Sequence, residues 1–219
     1  VANMYIRNIT LDASTSPTVA LRLAGLISNV DVYNCVLKAM PRSSSNTTAC
    51  VYYNNASGTG YKLDRVRFRN NSMDGGYYNM YLYYTGSGSG TNMGEVVIDS
   101  NTLTNAYYYG IYSYYYGYYP SISYNTITLA NGASTSYGMY LYYYHTVENL
   151  IGNKVNVTAT TTAYGIYTYS YSNYSTSYNA NGPGMIANND IYVRGGTTGA
   201  YGLYTYTNSK WNIYHNSIY

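Results

Sequence analysis

Two short motifs alternate along the whole chain, and a chain that repeats itself at a near-constant step folds as a stack of like units. The first motif reads apolar-x-x-Asn-x-apolar. It occurs at Phe68–Met73, Ile98–Leu103, Ile122–Ile127, Leu150–Val155, Ile186–Ile191 and Ile213–Ile218, with degenerate copies at Ile6–Leu11 and Val32–Leu37. The anchor position is therefore Ile9, Cys35, Asn71, Asn101, Asn125, Asn153, Asn189 and Asn216, at successive steps of 26, 36, 30, 24, 28, 36 and 27 residues. The second motif, Tyr-Gly-apolar-Tyr-x-Tyr, occupies Tyr109–Tyr114, Tyr137–Tyr142, Tyr164–Tyr169 and Tyr201–Tyr206, with looser copies centred on Leu21, Val51 and Met80. One copy falls between each pair of anchors, with no break in composition. The 219 residues therefore read as one domain, 1–219, belonging to a longer repeat protein.

Both motifs alternate with period two, the strand signature. Val66, Phe68 and Met73 are expected to face one way, and Arg65, Arg67 and Arg69 the other. Asn between two strand pieces fits a tight turn, because Asn tolerates left-handed backbone. Helical periodicity is nearly absent. Residues 19–28, VALRLAGLIS, could form a short helix, but their place in the repeat assigns them to a strand. A leucine-rich repeat would need a fixed Leu/Asn consensus, and a propeller blade about 40 residues or more. A parallel β-helix remains, with coils stacked at about 4.8 Å into a rod roughly 35 Å long. Length differences between coils fall in loops such as Met40–Thr48 and Tyr171–Gly184. The asparagines Asn71, Asn101, Asn125, Asn153, Asn189 and Asn216 should then stack in one column, their amides bonded along the axis.

The Asn-centred turns, in the stretches ISYNTITL, LIGNKVNV, MIANNDIYV and IYHNSIY, resemble those of right-handed parallel β-helix proteins with the pectin-lyase-like fold. The resemblance covers most of the chain. It implies an all-β, right-handed solenoid of about seven to eight coils of roughly 30 residues. It says little about function, since that fold carries lyases, glycosidases, tailspikes, adhesins and inert rods. The Tyr-Gly-Ile-Tyr pairing looks most like the long secreted repeat proteins of bacterial surfaces, which implies an extracellular or cell-surface location. An enzyme resembling a polygalacturonase would gather several Asp residues on one face. One resembling a pectate lyase would add a Ca²⁺ site and a basic residue.

The acidic residues are Asp12, Asp31, Asp64, Asp74, Glu95, Asp99, Glu148 and Asp190; they fall at different offsets from their anchors, except Asp12 and Asp74, which share one but sit two coils apart. Asp64 and Glu95, one coil and one offset apart, form the best pair. They could meet the roughly 5–9.5 Å separation that glycosidases use, but they read as two surface acids. His145 and His215 lie on different coils with no Asp or Cys at ligand spacing, so neither a metal nor another cofactor is expected. No Gly-x-Ser-x-Gly, Walker A or HExxH motif is present, and GSGSG at 86–90 precedes no helix. Arg67 shares its offset with Asp31, and Arg69 with Asp99, which predicts cross-coil ion pairs rather than an anion site. Cys35 and Cys50 permit a disulfide without implying one.

Charged residues make up 9% of the chain, against about a quarter in ordinary domains. That leaves no dense basic surface for nucleic acid, and no apolar run is long enough to cross a bilayer as a helix. The opening VANMYIRNITLD lacks the basic and apolar regions of a signal peptide. Asn-x-Ser/Thr triplets at Asn8, Asn46, Asn55, Asn70, Asn156 and Asn173 are expected by chance in a chain so rich in these residues.

Tyrosine is the outlier, with 37 copies against one Phe and one Trp. Outward positions of the second motif form one column, Tyr52, Tyr81, Tyr112, Tyr140, Tyr167 and Tyr204, and a second, Tyr83, Tyr114, Tyr142, Tyr169 and Tyr206. Stacked rings contribute about 0.5–1.5 kcal/mol per pair. A flat aromatic face edged with hydroxyls would also bind sugar rings or another protein. The chain reads as a non-catalytic segment of a surface fibre or adhesin. Both of its ends are strand patterns without caps, so self-association end to end is expected, with Tyr5–Leu11 of one unit against Ile213–Ile218 of the next. The rival class is a carbohydrate-active module, a polysaccharide lyase or glycoside hydrolase, working in the groove along the Asn turns.

Overall fold

The computed structural model describes residues 1–55, 61–86, 94–130, 132–169, 183–206 and 210–219. They form 23 strands and no helix. Each coil gives one strand to each of three parallel sheets, here called A, B and C. In the first coil these strands are Ala2–Arg7, Thr10–Ala13 and Val19–Leu23; in the fourth they are Gly94–Asp99, Thr102–Thr104 and Tyr109–Tyr114. Sheets A and B have eight strands and sheet C seven, so seven full coils are followed by a partial eighth. This is a right-handed parallel β-helix, the hand that parallel crossovers take almost without exception. Residues 19–28 lie in strand and turn, with no helix. Residues 87–90 of GSGSG, residues 171–182 and with them Asn173 lie outside the described residues.

Strict register turns each repeat position into a column. Leu11, Leu37, Met73, Leu103, Ile127, Val155, Ile191 and Ile218 pair along sheet B. Ile6, Val32, Phe68, Ile98, Ile122, Leu150, Ile186 and Ile213 do so along sheet A. Leu21, Val51, Met80, Ile111, Met139, Ile166 and Leu203 complete the triangle along sheet C. These columns fill the interior, and in the middle coils their members are fully buried. Each buried Leu, Ile or Met contributes about 1.5–3 kcal/mol.

A fourth column is polar. Asn71, Asn101, Asn125, Asn153 and Asn189 are buried at the turn between sheets A and B, and Asn216 continues them. Each Oδ1 accepts from the backbone N–H and the Nδ2 of the Asn one coil earlier, as Asn125 does from Asn101 at 3.0 and 3.1 Å. Each Nδ2 also donates to a carbonyl of the preceding coil, as Asn125 does to Ile98 at 2.8 Å. An amide has two donor hydrogens and two lone pairs, and here all four are used without water. At its start the column serves Cys35, whose N–H donates to Asn71 Oδ1 at 3.0 Å.

The left-handed residue of this turn is not the anchor, as the sequence suggested, but the residue before it. Asn8, Asn34, Asn70, Ser100, Tyr124, Asn188 and His215 have φ between 53° and 58°, and Gly152 has φ 67°. The anchor needs an ordinary conformation to point its side chain inward, so the preceding residue absorbs the turn.

The arginine prediction needs a similar correction. Arg67 does stand opposite Asp31, and Arg69 opposite Asp99. The ion pairs run diagonally instead, with Arg7 and Arg69 both binding Asp31, at 2.8 and 2.9 Å. Asp99 is already satisfied by Ser121 Oγ and the Ser123 N–H, at 2.6 and 2.9 Å. Arg69 therefore turns back, giving Asp31 a guanidinium from each side. Cys35 and Cys50 are both buried and free, and burial pushes the Cys50 thiol up to about 12.

Candidate functional site

Sheet C carries the feature that packing alone does not require. Register places Tyr52, Tyr81, Tyr112, Tyr140, Tyr167 and Tyr204 in one outward column. Its rings are 4.7–5.3 Å apart and within 17° of parallel. Tyr83, Tyr114, Tyr142, Tyr169 and Tyr206 form the second, at 4.3–5.3 Å. A third column, Tyr78, Tyr109, Tyr137, Tyr164 and Tyr201, contains the first Tyr of every Tyr-Gly motif, a position that period-two counting does not place outside. It meets the first column edge to face, at 63–89°.

Glycine explains how that third column comes to lie outside. Strict alternation would turn either Tyr109 or Ile111 the wrong way, but both take their required side because the ladder skips the residue between them, Gly110. A Cβ on Gly110 would stand 2.5 Å from the Gly138 carbonyl oxygen, and one on Gly138 equally close to that of Gly165. In earlier coils Cys50 and Asn79 hold this place, and both side chains hydrogen-bond to the Gly75 carbonyl.

The rings continue around the corner. Tyr84, Tyr115, Tyr116, Tyr143 and Tyr144 have φ of 49–65°, a conformation unfavourable for a bulky side chain by about 1–2 kcal/mol. At several other left-handed turns the chain uses Asn. Here Tyr143 stacks on Tyr115 at 5.2 Å and Tyr144 on Tyr116 at 5.3 Å, so ring placement outweighs backbone preference.

The wall is uncharged. Among the sheet C strands only Val19–Leu23 contains a charged residue, Arg22, which lies over the Tyr52 ring at 5.4 Å. Burial, then neighbouring phenols, raise the hydroxyl pKa of Tyr109, Tyr112 and Tyr140 well above the ordinary value, and that of Tyr167 to about 12. The hydroxyls are therefore neutral donors and acceptors. Ring faces are spent on one another along the columns, so the wall offers edges and hydroxyls rather than open faces. That narrows the flat platform expected from the sequence.

The acid pair is also brought together. Asp64 bonds Arg65 at 3.1 Å and lies near Lys62 at 3.7 Å. Burial and the Asp64 charge raise the Glu95 carboxyl above its usual range, while Arg67, Arg65 and Lys62 pull the other way. His145 is fully buried beneath sheet C, with Nε2 2.8 Å from Ser113 Oγ, and Ser113 Oγ also bonds the Tyr119 hydroxyl. His215 is exposed in the last coil. Among the described residues no three His, Cys, Asp or Glu side chains converge. Comparison with protein-family models, with curated proteins and with solved structures finds no match. What the structure shows is a parallel β-helix; none of these comparisons supports a likeness to pectin-lyase-like proteins.

Proposed function

We propose that the chain is a non-catalytic segment of a secreted or surface-displayed rod, and that its tyrosine wall is the face by which the rod grips neutral, hydroxyl-rich chains such as glycans. The observation that carries this reading is the run of five left-handed tyrosines. A wall needed only for stability would not extend over a corner where each ring costs backbone energy. The sheet C strands carry a single charge, Arg22 at one end, which favours a neutral ligand, and regular hydroxyl rows at the coil pitch suit a polymer laid along the axis. The test is retention of the chain on insoluble neutral polysaccharides. Changing Tyr83, Tyr114 and Tyr142 together to Phe keeps the stack and removes the hydroxyl edge. Retention should fall with unchanged thermal stability; equal retention would refute the contact.

A catalytic reading has one observation in its favour, the raised Glu95 carboxyl beside Asp64 and three cationic side chains. Cleavage of a polysaccharide by the purified chain, lost in Glu95→Gln, would establish it in place of the rod.

A further inference from the structure

We propose that the outer tyrosine column is a site of oxidative cross-linking, and that its first bond joins Tyr142 to Tyr169. The inference is independent of what the wall binds. These two rings are the closest pair in the wall among the described residues, 4.3 Å apart and 8° from parallel. Their backbones are paired in register on adjacent coils, so no chain movement is needed to bring them together. Burial, then the neighbouring phenols of Tyr169 and Tyr143, raise the pKa of the Tyr142 hydroxyl. Near-parallel rings on paired backbones set the ring carbons of one phenol over those of the other.

The chemistry requires a one-electron oxidant of the haem-peroxidase class, with hydrogen peroxide as terminal acceptor. Each phenol gives up one electron and its hydroxyl proton, leaving two phenoxyl radicals. Their ortho carbons form one C–C bond. The hydrogens on those carbons then move to the oxygens, restoring both phenols. Two electrons and two protons reduce one peroxide to two waters, and the protein loses two hydrogens. A radical formed elsewhere in the column has stacked neighbours at 4.8–5.3 Å through which to migrate before it meets this closer pair. Both cysteines are buried and free, so no disulfide ties the coils and no exposed thiol intercepts the radical. The bond would brace two coils covalently where the chain has no other staple.

The experiment treats dilute, folded chain with hydrogen peroxide and a haem peroxidase. It follows dityrosine fluorescence, intact mass and the peptides released by trypsin. Cleavage at Lys154 separates Tyr142 from Tyr169, so the product should link peptide 70–154 to 155–194 within one chain, with two hydrogens lost. Sequencing of the linked pair should place the bond at Tyr142 and Tyr169. Tyr142→Phe preserves the ring stack and should remove most of this product, whereas Tyr5→Phe and Tyr219→Phe should reduce only links between chains. Chain unfolded in urea should lose the preference. Cross-linking confined to exposed tyrosines such as Tyr5, Tyr124 and Tyr219 would overturn the proposal. So would an unchanged yield in Tyr142→Phe or the same pattern from unfolded chain.

Discussion

Asn125 shows what one residue does in a stack. Truncation to Ala would remove the Asn125 amide from the Ile98 carbonyl, leave the Asn101 N–H and one Nδ2 hydrogen without their acceptor, and take one of the two donors from Asn153 Oδ1, whose other donor, the N–H of residue 125, remains. Buried partners left unpaired cost about 1–3 kcal/mol each, less whatever local relaxation recovers. Asn125→Ala should therefore lower unfolding free energy by about 3 kcal/mol or more, and Asn216→Ala, in the exposed last coil, by less than about half of that; urea titration measures both. His145 makes a second residue-level prediction. Burial lowers its pKa from 6.5 to about 3. The unfolded chain takes up a proton below 6.5 while the folded chain refuses it down to about 3. This contribution is therefore intact above 6.5 and is lost as pH falls through the window between the two values. The slope is about 1.4 kcal/mol per pH unit. Urea midpoints at neutral pH and near pH 5 should differ accordingly, and His145→Gln should flatten the difference.

Sheet C depends on its glycine column as much as on its rings. A methyl on Gly138 would lie 2.5 Å from both the Gly165 oxygen and Val155 Cγ1. Neither the backbone of the next coil nor a β-branched core side chain can give way cheaply. Gly138→Ala is expected to cost about 3 kcal/mol, the upper end for overpacking, and to disturb near-ultraviolet circular dichroism as the Tyr columns shift. Gly132 supplies the control, since it has φ +78° with open space around it, and its replacement by Ala should cost only about 1 kcal/mol of backbone strain. Sheet A is held differently. Burial would raise the Asp31 carboxyl, but hydrogen bonds from Arg69 and Arg7 outweigh it and leave the group below its usual range. Both guanidiniums are more than 40% exposed, so solvent screens the pairs and limits their contribution.

At the scale of the whole molecule, each coil touches chiefly its two neighbours, so stability is a sum of coil and interface terms. The outermost coils have only one neighbour. Ile213 and Ile218, members of the core columns, are 48% and 51% exposed there. We propose that this exposed edge pairs with a second copy of the chain. The isolated chain should then increase in sedimentation coefficient with concentration. An inward-pointing charge at the open edge opposes strand addition, so Ile213→Lys with Ile218→Lys should hold the chain monomeric. A monomer at all concentrations without the substitutions would count against end-to-end assembly.

Sequence alone determined the repeat, its all-strand coils and the Asn column, because motifs that recur once per coil in a stacked solenoid leave like residues no other neighbours. Two Tyr columns followed from period-two counting. The third did not, because the Gly110 position breaks the alternation and only the close approach of backbones in successive coils shows which side Tyr109 takes. The diagonal Arg7–Asp31–Arg69 set was likewise beyond a column count. Register fixes Cα positions, but a long guanidinium reaches past its own row, and Asp99 had already been satisfied by Ser121 and Ser123. The burial of His145 depends on how each coil closes, and closing is a property of packing in three dimensions rather than of spacing along the chain.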